Sequence, residues 1–246
     1  MKGAYDIVAD LAGRPRIRAM CTMWPEHVPF WQPMVGPKLH CVGPPPLDLS
    51  RYRPTGDKID IPEEYRGDVN ILIADTWRED IDIYEAAHGA MYAAAECPGT
   101  KVHFWAVEEG QKAKPWEHIW AAFRADGTLG MLHGRDADIE KVYRAMDVLV
   151  TPHRIATRTV IEALSCGMVV VGDKGNAYAT YTADVHDVGE FSEVVEIAIN
   201  AASDARMLAN KRELSRERAG AFSLREFGAR MDEVYSDVMG LIPMEV

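Results

Sequence analysis

The sequence contains few cysteines and no long apolar run. The four cysteines, Cys21, Cys41, Cys97 and Cys166, are scattered over 246 residues without a CxxC pair or a metal-ligand spacing. We therefore expect reduced thiols in a cytoplasmic protein. No stretch approaches the roughly 18 uncharged apolar residues of a membrane-spanning helix. The N-terminus also lacks the apolar core of a secretory signal, so we predict neither a membrane span nor export.

Positive charge is also scarce. The chain has 27 Lys and Arg residues against 38 Asp and Glu residues, which gives a formal net charge of −11. Nonspecific binding to nucleic acid depends on basic side chains that neutralise phosphates, and this balance argues against it. With 48% hydrophobic and 26% charged residues, the composition is that of a globular protein rather than a disordered or fibrous one.

Several motifs of common enzyme classes are missing. The sequence has no GxGxxG, GxxxxGK[ST], GxSxG or HExxH pattern. Interpretations as a dehydrogenase, a P-loop nucleotide hydrolase, an α/β-hydrolase or a zincin therefore lose their main support in the sequence.

Proline is concentrated at the start of the chain, where nine of the 14 prolines fall within the first 56 residues. Proline neither donates to a strand ladder nor continues a helix. This segment is therefore predicted to be mostly loop, with short elements at Tyr5–Leu11 and Lys38–Val42.

From about residue 67 onward, short apolar runs alternate with helical patterns. We predict strands at Val69–Ala74, Lys101–Val107, Leu129–His133, Asp147–Val150 and Met168–Val171. Helices are predicted at Ile81–Glu96, Trp116–Arg124, Ala137–Met146, Thr157–Ser165, Glu190–Ala202, Asp204–Phe222 and Leu224–Met239. This alternation is typical of βαβ units, and it predicts an α/β fold with a Rossmann-like parallel sheet and helices on both faces.

Ligands bind at the carboxyl ends of the strands in such sheets, so the loops there are candidate sites. After the fourth predicted strand, Arg154, Thr157, Arg158 and Thr159 surround the start of a helix. The backbone N–H groups at a helix start favour an anion. Two arginines beside the positive end of a helix dipole are compatible with it when an anion such as a diphosphate lies between them.

Glu162 lies on the same helix among apolar residues. A carboxylate is costly to bury unless it has partners. Two partners are consistent with the sequence. One is a diol such as a ribose, and the other is Arg158, which lies four residues earlier on the same helix face.

The other strand ends supply further candidates. Arg78 follows the first predicted strand, where a guanidinium either grips a phosphate or pairs with the neighbouring acids. Gly134 and Arg135 follow the third strand, and glycine there allows close approach of the backbone to a ligand. The acidic pair Asp80 and Asp82 is more typical of a helix start than of a metal site, so we predict no metal.

Three stretches together resemble one family. They are residues 142–152 (VYRAMDVLVTP), residues 160–171 (VIEALSCGMVVV), and Phe222–Leu224 followed by Val234–Tyr235. These resemble the Y-x-x-A-D…P element, the E-A-M-A-x-G-x-P-V-V helix and strand, and the closing F-S-W…V-Y helix of GT-B glycosyltransferases. The resemblance is to the C-terminal, donor-binding domain of the large retaining group called family 4.

The resemblance implies transfer of a sugar from a nucleotide-diphosphate sugar, with no metal and no other cofactor. It implies that Glu162 binds the ribose and that backbone N–H groups around Thr157–Thr159 hold the diphosphate. It further implies that Arg78 contacts phosphate, and that Gly134 and Arg135 lie near the nucleobase.

The sequence departs from the E-x7-E motif of that family. Arg154 stands eight residues before Glu162, where the family has an acid that contacts the transferred sugar. Catalysis would then depend on Arg78, with Arg154 or Arg158, stabilising charge on the leaving diphosphate.

The resemblance also implies a domain organisation. We expect residues 1–60 to be a proline-rich arm, the remnant of a truncated acceptor lobe with its linker, and residues 61–246 to be the donor-binding domain. Within the arm, Glu26 and His27 are candidates for an acceptor-side base. Three aromatic residues either fix the arm to the main domain or line an acceptor surface, and these are Trp24, Phe30 and Trp31.

The acceptor stays open at this point, with a glycan, a lipid or a modified nucleobase as alternatives. Two other functions are also consistent with the sequence. One is a non-catalytic module that binds a nucleotide sugar. The other is one subunit of a multi-chain glycosyltransferase or of a homo-oligomer, in which a partner completes the site.

Overall fold

The chain forms two compact units. The computed structural model describes residues 4–75, 82–105, 117–134, 138–155 and 157–240. So far as they are described, Met1–Asp48 and Ala221–Val246 make up the first unit, and Leu49–Gly220 makes up the second. The last helix therefore belongs with the N-terminal segment, whereas the sequence analysis placed it in a domain that runs from 61 to 246.

The secondary structure of the described residues is as follows. The helices are α1 (Ala4–Gly13), α2 (Val28–Val35), α3 (Ile83–Glu96), α4 (Glu117–Ala125), α5 (Ile139–Ala145), α6 (Arg158–Ser165), α7 (Val188–Ser203), α8 (Ala205–Gly220) and α9 (Leu224–Gly240). The strands are β1 (Met20–Thr22), β2 (Leu39–Cys41), β3 (Val69–Ile73), β4 (Thr100–Phe104), β5 (Leu129–Leu132), β6 (Val148–Val150), β7 (Val169–Asp173) and β8 (Tyr181–Ala183). Short 3-10 turns occur at Pro25–His27, Gly36–Lys38 and Glu63–Tyr65.

The first unit is more regular than its proline content predicted, and the prediction of a mostly loop segment was wrong. Helix α2 accommodates Pro29 in its first turn, where the missing N–H has no helical partner to lose, and it also contains Pro33. The rings of Phe30 and Trp31 on this helix pack on Tyr5 of α1, with centroids 4.9 and 6.0 Å from that of Tyr5. Strands β1 and β2 pair in parallel beside these helices.

Helix α9 and the residues just before it are hydrogen-bonded to the backbone of the N-terminal segment. The Arg230 guanidinium donates from Nε to the carbonyl oxygen of Val42 at 2.7 Å. The backbone N–H of Leu47 donates to the carbonyl oxygen of Phe222 at 2.8 Å. These bonds explain why the last helix belongs to the first unit although the whole second unit separates it from residues 4–48 in the chain.

The second unit is built on a six-stranded parallel sheet in the order β5-β4-β3-β6-β7-β8. Its central strands are buried and, apart from Asn70, apolar, as expected when helices cover both faces. The core cluster joins one face of the sheet to α3, α4 and α7. The predicted α/β architecture is therefore confirmed. The sequence analysis missed strand β8 because its three residues carry no apolar run.

The described helices include none that is both long enough and apolar enough to span a bilayer. The four cysteines are present as free thiols. Burial raises the pKa of the Cys166 thiol to about 12, so this side chain acts as a small apolar group at the C-terminal end of α6.

Candidate functional site

The sheet of the second unit reverses its direction of growth between β3 and β6. From β3 the chain adds β4 and β5 on one side, and from β6 it adds β7 and β8 on the other. In open parallel sheets, ligands bind outside the carboxyl ends of the strands at such a switch point. The residues that follow β3, β6 and β7 therefore define the candidate site.

A buried carboxylate lies at the switch point itself. Asp75, directly after β3, is only 4% exposed. Its Oδ2 accepts a hydrogen bond from Thr151 Oγ1 at 2.9 Å, and its Oδ1 lies 3.0 Å from His153 Nε2. Both oxygens thus have a polar partner, which offsets the cost of burying the charge. This cluster joins the ends of the two central strands.

The sequence analysis did not single out the cluster of Asp75, Thr151 and His153. Its signal was present, since each residue follows closely after a buried apolar strand. However, positions 75 and 151 come together only because β3 pairs with β6. That pairing could not be predicted from the sequence.

Arg154 is held by a second buried carboxylate. Its Nε donates to Asp173 Oδ2 at 2.5 Å, and Asp173 is fully buried at the end of β7 while 59% of the Arg154 side chain is exposed. Asp173 Oδ1 accepts the backbone N–H of Val185 at 2.9 Å. The buried charge is therefore paired, and the rest of the guanidinium faces outward.

Asn176 fixes the loop that carries Arg154. Its Nδ2 donates to the carbonyl oxygens of His153 at 2.9 Å and Ile155 at 3.3 Å, the residues on either side of Arg154. Its Oδ1 accepts the backbone N–H groups of Tyr178 and Ala179, each at 3.2 Å. A buried amide with this many partners sets the loop in one conformation.

Helix α6 starts directly after this loop, close to its predicted position. Thr157 is its N-cap, and the Thr157 hydroxyl accepts the backbone N–H of Val160 at 3.5 Å. The N–H groups of Arg158 and Thr159 precede the first intrahelical bonds, so they lie at the positive end of the helix dipole.

Glu162 sits one turn into α6 and is 5% exposed. Its Oε1 accepts a hydrogen bond from Arg158 Nε at 2.7 Å, which is the ion pair predicted as one of two alternatives. Its Oε2 accepts the hydroxyl of Tyr143 at 3.2 Å, and the Tyr52 hydroxyl is also a hydrogen-bond partner. The two arginines beside the helix start thus each have a carboxylate partner within the protein.

These contacts set the protonation of the groups around Glu162. Complete burial, together with the neighbouring Glu162 charge, raises the pKa of Tyr143 well above its ordinary value. Burial likewise raises the pKa of Tyr52. The hydrogen bond to Glu162 raises the pKa of the Arg158 guanidinium. Both phenols therefore stay protonated as donors to the carboxylate.

The remaining candidates belong to another strand end, to the first unit, or to residues outside the described ranges. Arg78 and Arg135 fall outside the described residues. Gly134 follows β5 and is exposed, and a Cβ there would meet no described atom within 4 Å. Glu26 and His27 lie in the 3-10 turn of the first unit, whereas the cluster around α6 belongs to the second.

Within the described part of the chain, no three His, Cys, Asp or Glu side chains gather at positions that would hold a metal ion. The absence of a metal requirement stays a prediction.

The sequence matches no protein-family model, and no curated protein matches it. Solved structures match over most of the chain. A glycosyltransferase from Rickettsia africae aligns with a TM-score of 0.75 at 10% identity, over 98% of this chain and 69% of its own. HepE from Anabaena, solved with UDP and glucose, aligns with a TM-score of 0.68 at 14% identity, over 94% of this chain and 66% of its own.

A further match is WaaG, a glycosyltransferase involved in lipopolysaccharide biosynthesis, with a TM-score of 0.60 at 16% identity over 87% of this chain. The fold is that of the GT-B glycosyltransferases. This GT-B likeness confirms the resemblance of the three sequence stretches at the level of fold. The chain spans 61 to 69% of the length of these three GT-B proteins.

Proposed function

We propose that this chain is a glycosyltransferase that takes its sugar from a nucleotide-diphosphate sugar bound at the carboxyl ends of β6 and β7. The observation that carries the proposal is the likeness to HepE, which was solved with UDP and glucose and aligns over 94% of this chain. The polar cluster at the switch point supports it, because that is where open parallel sheets bind ligands.

Glu162 is proposed to bind the ribose of the donor. A carboxylate has about four acceptor positions, and donors from Arg158, Tyr143 and Tyr52 use three of them. The Arg158 side chain is 73% exposed, whereas the Glu162 side chain is 7% exposed. A buried carboxylate that loses its partner is costly, so Arg158 turns from Glu162 to the diphosphate only when the hydroxyls of a ribose replace it as donors.

The diphosphate is proposed to lie at the start of α6. There, the N–H groups of Arg158 and Thr159 point at it and the helix dipole favours its charge. When the bond from the sugar to the diphosphate breaks, its electron pair stays on the phosphate oxygen. The N–H groups, with Arg158 or Arg154 and the predicted Arg78, stabilise that charge.

The acceptor is proposed to be a glycan, a lipid or a modified nucleobase, with Glu26 or His27 as its base, in a cytoplasmic reaction. Two observations favour a second candidate, a module or subunit without transfer activity of its own. Arg154 stands where the family has an acid, and the chain spans only part of its structural neighbours. One of those neighbours is a complex of two proteins, GtfA and GtfB.

Thermal-shift titration against UDP, GDP, ADP and their sugar conjugates tests the proposal. A ligand at 100 times its dissociation constant stabilises by about 2.7 kcal/mol, which is roughly 5–10 °C at this size. We expect such a shift with one nucleobase, and its loss in Glu162→Gln. Asp10→Asn is the matched control because Asp10 forms an i,i+4 ion pair with Arg14 in the first unit, and it should keep the shift.

Turnover separates the two candidates. Release of free nucleotide diphosphate from the bound donor supports a transferase, whereas tight binding with no release over a panel of acceptors supports a module. If no nucleotide shifts the melting temperature, a self-sufficient transferase and a self-contained binding module are both wrong, and the result favours a subunit whose site a partner completes.

A further inference from the structure

We infer that the transferred sugar carries a carboxylate, as a uronic acid does, and that Arg154 binds it. The inference rests on the proposed function, and it concerns the group that lies beyond the diphosphate. It follows from how Arg154 is held and from where it stands relative to α6.

Arg154 is an unusually well-fixed surface cation. Its Nε is bonded to Asp173, which is itself buried and anchored by the backbone N–H of Val185. The carbonyl oxygens on either side of Arg154 are both tied to Asn176. Backbone and side chain are therefore both positioned before any ligand arrives, which lowers the entropic cost of binding.

The donors of the guanidinium select the ligand. The Nε of Arg154 is bonded to Asp173, and 59% of the Arg154 side chain is exposed, so Nη1 and Nη2 can reach a ligand. Arginine has donors and no acceptor. Two parallel N–H groups match the two oxygens of a carboxylate better than they match isolated sugar hydroxyls.

The position of Arg154 matches the sugar rather than the nucleotide. Glu162, the proposed ribose ligand, lies in α6, and the diphosphate is proposed to lie at the helix start near Thr157. Arg154 precedes that start by three residues, and its Nε is bonded to Asp173, the last residue of β7. A donor that runs from ribose to diphosphate along this path presents its sugar to Arg154.

The experiment compares donors that differ only at C6 of the sugar. Dissociation constants are measured by calorimetry for UDP, UDP-glucose and UDP-glucuronate, and, where guanine is the preferred base, for GDP, GDP-mannose and GDP-mannuronate. We expect the carboxylated donor to bind about ten- to a hundredfold more tightly than its neutral counterpart. In Arg154→Lys, which keeps a charge beside Asp173 but loses the planar fork, this ratio should fall to below about threefold.

Arg158→Lys is the matched control, because it changes an arginine next to the same helix start. It should shift both affinities by a similar factor and keep their ratio. Melting temperatures of both variants show that each is folded.

Equal affinity of the wild type for the neutral and carboxylated donors overturns the inference while leaving nucleotide binding intact. If Arg154→Lys weakens the free diphosphate as much as the carboxylated donor, Arg154 contacts phosphate and the inference is wrong. If neither free diphosphate binds, the proposed function fails first, and the inference fails with it.

Discussion

The hydroxyl of Thr151, which follows β6, donates a hydrogen bond to the carboxylate of Asp75, which follows β3, with 2.9 Å between Oγ1 and Oδ2. Both side chains are buried, so water does not replace the bond when it is lost. The two residues follow the central strands of the sheet. The bond therefore couples the stability of the fold to the geometry of the candidate site.

Replacing Thr151 with the isosteric Val should destabilise the second unit by about 1–3 kcal/mol, because a buried carboxylate loses a donor. Urea unfolding followed by circular dichroism measures this. Thr182→Val on the exposed face of β8 is the control and should stay within about 0.5 kcal/mol of the wild type. An equal, small effect of both variants would contradict a stabilising role for the Thr151 hydroxyl.

The pH dependence of stability should report on His103, which is fully buried. Met131 N–H donates to its Nδ1 at 3.2 Å, so Nε2 carries the proton and donates to Asn70 Oδ1 at 3.1 Å. Burial, with smaller contributions from His133 and Lys101, lowers the pKa of His103 to about 3. The ring is therefore neutral in the folded state at pH 5.

An unfolded histidine takes up a proton below about pH 6.5, whereas the folded His103 does so only near pH 3. The contribution of His103 to the free energy of unfolding is therefore fully present above about pH 6.5. It falls as the pH drops toward 3, and about 2 kcal/mol of it is lost at pH 5. In His103→Gln, the loss between pH 7 and pH 5 should shrink by that amount. An unchanged slope in His103→Gln would refute the assignment.

Two helical glycines should respond in opposite directions to replacement by alanine. A Cβ at Gly89 in α3 would lie 2.7 Å from Phe191 Cδ1 in α7, and Phe191 is fully buried. Gly89→Ala should therefore destabilise by about 1–3 kcal/mol. A Cβ at Gly228 in α9 meets no described atom within 4 Å, so Gly228→Ala should stabilise its unit by about 0.5–1 kcal/mol. The melting temperatures of both variants test these two predictions. A stabilised Gly89→Ala would contradict the first, because it would show that α3 and α7 move apart at little cost.

Asn176→Asp should loosen the loop that carries Arg154. The new carboxylate would face the carbonyl oxygens of His153 and Ile155, which now accept from the amide. We expect a loss of about 2–4 kcal/mol in stability from the unpaired buried groups. Hydrogen exchange measured by mass spectrometry should show faster exchange in residues 151–158. Asn200→Asp on the exposed face of α7 is the control, and equal exchange in both variants would exclude the loop-fixing role.

Much of the second unit was predictable because its signals are local. The apolar run at Val69–Ile73 and the periodic pattern of Ile83–Glu96 need no distant partner to be recognised, and both predictions are confirmed to within a few residues. Helix α2 was missed because proline carries a strong general penalty, and only the structure shows Pro29 at a tolerated position.

The candidate site was predicted less completely, and the reason is the distance between its parts along the chain. The ion pair between Arg158 and Glu162 follows from helical spacing and was predicted as one of two alternatives. The partners of Arg154 and His153 are Asp173 and Asp75, and these contacts depend on which strands lie side by side. A single sequence indicates which residues are candidates for the site, but not which residues from other strands contact them.

The return of α9 to the first unit has a consequence for synthesis on the ribosome. Residues 4–48 are synthesised before the second unit, yet the helix in which Arg230 contacts Val42 is synthesised only after all of that unit. The N-terminal segment therefore lacks its contacts with α9 while the ribosome synthesises the second unit. Residues 4–48 therefore reach their final contacts with α9 only after the second unit has been synthesised, although they precede that unit in the chain.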